Sequence, residues 1–95
     1  MEKNTEYLLR YMSMDDYNSL LKSSNEYIKE LLSNNYINVN LNIKYLINYG
    51  ISNINKVIPN IIGDLLLDSK DFEKKINNYE KSLSKDEVIM LIENM

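Results

Sequence analysis

The sequence predicts an all-α protein, a compact bundle of about five or six short helices, with an extended segment admitted near residues 36–42. Three observations carry this reading. Helix breakers are scarce: glycine occurs only at Gly50 and Gly63, and proline only at Pro59. Good helix formers such as Leu, Lys and Glu are frequent. Apolar side chains recur at helical spacing, most clearly at Phe72, Ile76, Tyr79 and Leu83. The 95 residues make a single domain, 1–95, and 44% hydrophobic with 26% charged residues is ordinary for a globular chain rather than a disordered one.

Along the chain, a first helical segment spans about Thr5 to Met12, with Tyr7, Leu8, Tyr11 and Met12 on one face. Ser13 reads as an N-cap with Asp16 as the acidic partner of a capping box. The helix that follows is expected to run to about Ser33. The stretch Ser23-Ser24-Asn25 is the one place it can break, with Ser23 and Glu26 as a second capping box.

Residues 36–43 conflict with the rest. From Ile37 onward they alternate apolar and polar, a strand pattern. No second strand is visible to satisfy their backbone groups. Three readings stay open: an extended connector, the start of a third helix, or an edge that pairs with a copy of itself or with a partner's sheet.

The third helix ends at Tyr49, with Gly50 as its left-handed stop. Ser52 is expected to cap a fourth helix, which Pro59 must end or kink near Ile58. An apolar stripe then continues through Ile61, Ile62, Leu65 and Leu66. Asp68 or Ser69 starts the next helix, and Ser84 with Glu87 forms a capping box for the last one. Residues 13–21 and 84–92 resemble one another, which admits an internal repeat or simply two capped helix starts. The expected core is Leu8, Tyr17, Leu21, Ile28, Leu31, Leu46, Ile62, Leu65, Phe72, Ile76, Tyr79, Val88, Leu91 and Ile92.

Composition removes whole classes of chemistry. Without cysteine there is no disulfide, thiolate metal site or thiol nucleophile. Without histidine the commonest general base and metal ligand is missing. Two isolated glycines build no phosphate loop. The acidic groups Asp15-Asp16 and Asp68, Asp71, Glu73 sit at helix starts, where carboxylates complement the dipole, and lack the calcium-loop spacing. No cofactor, metal or catalytic residue is therefore expected. The charged start Met1-Glu2-Lys3 and the shortness of runs such as Leu65-Leu66-Leu67 lead to the expectation of a cytoplasmic protein with no membrane partner.

Net charge is −3, spread as −1 over residues 1–48 and −2 over 49–95. With Arg10 the sole arginine, nucleic acid is a disfavoured partner. The eight tyrosines are more informative, because tyrosine combines apolar area with a polar tip and suits both core edges and interfaces.

The segments Leu46-Ile47-Asn48-Tyr49-Gly50-Ile51-Ser52, Val57-Ile58-Pro59 and Ser84 through Ile92 together resemble the helical repeats of mitochondrial transcription termination factors. Those repeats place a glycine, a leucine or isoleucine and a serine before a helix and a proline after it. The resemblance implies a helical-repeat nucleic-acid binder, a reading that a contiguous surface of Lys3, Arg10, Lys22 and Lys29, or of Lys70, Lys74 and Lys81, would favour. The chain departs from the pattern in the short interval from Gly50 to Pro59, in having no proline after the last helix, and in lacking a basic groove.

The residues themselves point to a non-catalytic protein-binding module: a small regulator, inhibitor, immunity-type factor or small subunit that occludes or bridges a protein partner. Its acidic charge would steer it to a basic partner surface. The expected contact residues are Tyr36, Ile37, Val39, Leu41, Tyr45 and Tyr49. The alternatives are the nucleic-acid binder and a structural homodimer paired through residues 36–43 or an apolar helix face.

Overall fold

A computed structural model describes residues 4–95, so the predicted role of Lys3 and the charged start lie outside the described residues. The described chain is helical, with no strand. A 3-10 turn at Glu6–Arg10 leads into α1 (Met14–Ser23), α2 (Glu26–Asn34) and α3 (Tyr36–Tyr49). Two single-turn helices follow, α4 (Ile54–Val57) and α5 (Ile62–Leu65), separated by a 3-10 turn at Ile58–Asn60. α6 (Ser69–Tyr79) and α7 (Lys85–Glu93) complete the bundle, which measures 44 × 25 × 20 Å.

Local signals set most boundaries. The Ser13 hydroxyl accepts the Asp16 N–H at 3.2 Å. Ser84 and Glu87 form the reciprocal capping box, each side chain accepting the other's backbone N–H. The Asp68 carboxylate caps α6 by accepting the Lys70 N–H. Gly50 stops α3 with φ +126°, a conformation glycine adopts without a Cβ clash.

Several expectations are corrected. The first segment is a 3-10 turn, not an α-helix. The helix from Met14 does break, and its second half is capped by Asn25 rather than Ser23: Asn25 Oδ1 accepts the Ile28 N–H at 2.8 Å. Extended backbone at Ser24 (ψ 138°) makes the break. At α4 the cap position belongs to Asn53, because both the N–H and the hydroxyl of Ser52 donate to Glu93 of α7. Pro59 lies in the 3-10 turn after Val57, where its missing N–H needs no helical partner. The likeness of residues 13–21 to 84–92 extends to the serine caps and to the buried pair Tyr17 and Val88, and it fails at Leu20, which is interior while its counterpart Leu91 is exposed.

Residues 36–43 are helix, so the connector and strand readings fall. The interior positions of α3 are Val39, Asn42, Ile43 and Leu46, the i, i+3, i+4, i+7 stripe of a helix facing a core. Asn42 hides this stripe in the sequence because it is polar yet only 1% exposed. Its Nδ2 donates to the carbonyls of Leu65 (3.0 Å) and Leu67 (2.9 Å), fastening α3 to the end of α5. α3 is the central helix, packed chiefly on α6 and also on α2, α4 and α5.

Of the expected core, Leu8, Tyr17, Leu46, Leu65, Phe72, Ile76, Val88 and Ile92 are buried, and Leu21, Ile28, Ile62 and Tyr79 pack against them from partly buried positions. Leu31 and Leu91 do not belong to it. α2 presents Leu32 one step round instead, and α7 presents Val88 and Ile92, leaving Leu91 38% exposed. Met12, Leu20, Val39, Ile43, Ile51, Val57, Ile58 and Ile61 complete the interior.

Candidate functional site

The six predicted contact residues lie on α3, but the structure divides them. Val39 is fully buried at 0% exposure and is a core residue, not a contact. Tyr45 and Tyr49 are half-buried against α6. The Tyr45 ring meets Phe72 edge-on at 6.2 Å, and its hydroxyl donates to Asn77 Oδ1 at 3.3 Å. The Tyr49 hydroxyl donates to Glu80 Oε1 at 2.5 Å, and the Lys85 ammonium sits 5.3 Å from its ring centroid. These two tyrosines bind the molecule to itself.

Tyr36, Ile37 and Leu41 face outward instead, with Ile37 61% and Leu41 48% exposed. Ile37 and Leu41 are one turn apart, so their side chains adjoin. Tyr36 borders them, its ring 6.2 Å from that of Tyr7. Asn40 completes the border, its oxygen accepting the Tyr11 hydroxyl at 2.7 Å. No charged residue occurs between Glu30 and Lys44, so this half of α3 is an uncharged apolar and amide strip. Ile47, 42% exposed, extends its flank, and the exposed Lys44 and Asn48 continue the outward line as polar groups.

Four tyrosines on or against α3, Tyr7, Tyr11, Tyr45 and Tyr49, hold their protons more tightly than a free phenol. Burial pushes the Tyr7 hydroxyl well above its ordinary range, reinforced by Tyr11 and Tyr17, while it donates to the Leu32 carbonyl. Tyr11 and Tyr45 move up for the same first reason. Tyr49 is pushed up to about 12 by desolvation and by its bond to Glu80. Each is a neutral hydrogen-bond donor near neutral pH rather than a group poised for proton transfer. Among the described residues no group of three or more acidic side chains is arranged to hold a metal ion. No helix among them is long and apolar enough to cross a membrane.

Other surface features were not foreseen. Leu83, Glu87, Met90, Leu91 and Asn94 line an open groove of about 380 Å³ along α7. Met90 alone falls off the core spacing in the sequence, because Leu91 stands three residues from Val88 and reads as part of the core stripe. A shallow cleft of about 390 Å³ lies between α1 and the Pro59 turn, where Asn55 Nδ2 donates to Asp16 at 3.4 Å. Among the described residues two lysines are paired, Lys75 with Asp64 at 2.6 Å and Lys29 with Glu26 at 3.3 Å.

No protein-family model matches the chain, and neither does any curated protein or solved structure. The resemblance to termination-factor repeats gains no support from these comparisons.

Proposed function

We propose that this chain is a non-catalytic protein-interaction module that docks through the outward face of the N-terminal half of α3. The observation that supports this most is the adjoining exposure of Ile37 and Leu41 on an uncharged strip bordered by Tyr36. An aromatic and two aliphatic side chains in one patch are the usual anchors of an interface core, where charge is depleted. Acting this way, the protein is a regulator, inhibitor, immunity-type factor or small subunit that occludes or bridges its partner. Its net charge of −3 favours approach to a partner with a basic surface, and the apolar strip supplies the affinity.

The test is a comparison of tagged wild type with the double variant Ile37→Lys, Leu41→Lys, each used to capture partners from the cells that make the protein, with and without nuclease. The expected outcome is a stoichiometric protein partner that survives nuclease and is lost by the variant. Capture that the variant leaves unchanged, or that nuclease abolishes, rules out this face or a protein partner respectively.

A further inference from the structure

We infer that the groove along α7 is a second docking site, and that it takes a cationic amphipathic helix with Lys or Arg at positions i and i+7 bracketing an apolar pair at i+3 and i+4. The groove lies on a different helix from the outward α3 face and does not rest on the reading of that face.

Met90 and Leu91 are adjacent and exposed, at 63% and 38%, and with Leu83 they form the apolar floor of the groove. Glu87 stands three residues before Met90 and four before Leu91, and Asn94 stands four and three residues after them, so each adjoins the pair. The outward order along α7 is therefore carboxylate, apolar pair, amide. Its two polar ends are about 10 Å apart, the rise of two helical turns. A second helix laid nearly along α7 repeats this order in step, because its own seven-residue interval has the same length.

The polar atoms left open decide the sign of the partner. Glu87 Oε1 accepts the Ser84 N–H at 3.0 Å, which leaves Oε2 open. Asn94 Nδ2 donates to the Met90 carbonyl at 2.7 Å, which leaves Oδ1 open. Both open oxygens accept, and Lys and Arg are the side chains that only donate. Asp86, exposed one turn before Met90, adds a second carboxylate. The bond from the Ser84 N–H holds the Glu87 carboxyl below the usual carboxylate range, so it stays charged. Among the described residues neither Asp86 nor Glu87 has an ion-pair partner. Lys85 lies about 140° round the helix from Met90, at 100° per residue, with its ammonium 5.3 Å from the Tyr49 ring centroid. A neutral or anionic helix would cover these acceptors without a donor, whereas a cationic one pairs them. Methionine adapts its shape to different apolar neighbours, so charge and spacing select the partner more than the identity of its apolar pair.

The probe is a fluorescein-labelled, alanine-based peptide of about 20 residues, long enough to hold a helix in water, with leucine at i+3 and i+4 and lysine at i and i+7. Its anisotropy is followed as the full chain is added to about 500 µM, and a contact two turns long should give a Kd on the order of 50 µM. Glutamate in place of both lysines should abolish binding. Lysines moved to i+1 and i+8 keep the charge and lose the register, and should weaken binding about fivefold. Glu87→Gln keeps the capping box, which glutamine also closes, and should weaken binding about threefold. Met90→Lys should abolish binding with an unchanged circular dichroism spectrum. Met14→Lys, the same substitution at a methionine 57% exposed on α1, should leave the Kd within about twofold of wild type.

No binding at about 500 µM, or equal binding of the glutamate peptide, overturns the cationic helix as occupant. Equal losses from Met14→Lys and Met90→Lys, or equal binding of the shifted peptide, mean that net charge alone collects the peptide, and overturn the groove as its site. None of these outcomes bears on the α3 face, which stands or falls by partner capture with Ile37→Lys, Leu41→Lys, so the two failures are told apart.

Discussion

The two halves of α3 are built from similar residues and end in different surroundings. The C-terminal half carries Tyr45 and Tyr49 against α6, with polar Lys44 and Asn48 facing outward. The N-terminal half carries its aromatic, Tyr36, at the edge of an outward face made of Ile37 and Leu41. A helix that is apolar on more than one face needs more than one cover. Within this chain α6 covers the second face of the C-terminal half, and the N-terminal half keeps an apolar surface open. The difference separates residues that stabilise the fold from residues available to a partner, and substitutions along one helix read it out.

The largest contrast is expected between Leu46 and Leu41. Leu46 is fully buried and lines, with Phe72 and Ile76, a crevice of about 10 Å³ that cannot absorb a truncated neighbour without loss of contact. Leu46→Ala should destabilise the protein by about 3 kcal/mol, from lost transfer free energy plus the residual cavity. Leu41→Ala should change the stability of the isolated chain by no more than about 0.5 kcal/mol. Urea unfolding at low protein concentration, where any association is absent, measures both. Equal losses would mean that Leu41 has a structural role and that the two halves do not differ.

Asn42 and Asn40 give the next contrast. Asn42→Ala strands two carbonyls, those of Leu65 and Leu67, that now receive its N–H groups, and should cost about 2 kcal/mol. Asn40→Ala removes one partly exposed bond to Tyr11 and should cost about half as much. The same pair explains what the sequence concealed. Helix caps at Ser13 and Ser84 and the stop at Gly50 are legible because each depends on neighbours within four residues. The identity of 36–43 is not, because its period-two alternation comes from asparagines with different fates. Once Asn42 is counted as interior, Val39, Asn42, Ile43 and Leu46 form an ordinary helical stripe. Which tyrosines serve the fold was equally hidden: the partners of Tyr45 and Tyr49 lie 32 and 31 residues away, on a helix whose position no local pattern gives.

Gly50 locks the end of the covered half. A Cβ there would lie 2.9 Å from Ile89 Cδ1, and φ +126° strains any L side chain. The terminal methyl of Ile89 can shift, so backbone strain dominates, and Gly50→Ala should cost about 1–2 kcal/mol. Gly63, in the single turn of α5 with open space around it, supplies the control. Gly63→Ala should be neutral or stabilise by up to about 1 kcal/mol, since alanine is the better helix former. Thermal midpoints of the two variants moving in the same direction would remove the special status given to Gly50.

The smallest effect compares Tyr49 with Tyr36 and is best seen through pH. The Tyr49 hydroxyl is raised from an ordinary 10.0 to about 12, first by desolvation and then by its bond to Glu80. The folded chain therefore keeps this proton to a higher pH than the unfolded chain does. The associated stability is fully present below pH 10 and is lost as pH rises toward 12, because over that interval the unfolded state binds fewer protons. Tyr49→Phe should lower stability at pH 8 by less than about 1 kcal/mol, the bond being partly exposed. It should also flatten the decline between pH 10 and 12, without abolishing it, because Tyr7, Tyr11 and Tyr45 are shifted in the same direction. Tyr36→Phe should leave stability at pH 8 within about 0.5 kcal/mol of wild type, since Tyr36 contributes a ring contact to Tyr7 and its surface to the outward face. Urea midpoints measured at pH 8, 10, 11 and 12 decide it. An unchanged slope for Tyr49→Phe would detach the Tyr49–Glu80 bond from the fold and move Tyr49 into the same class as Tyr36, a surface residue open to a partner.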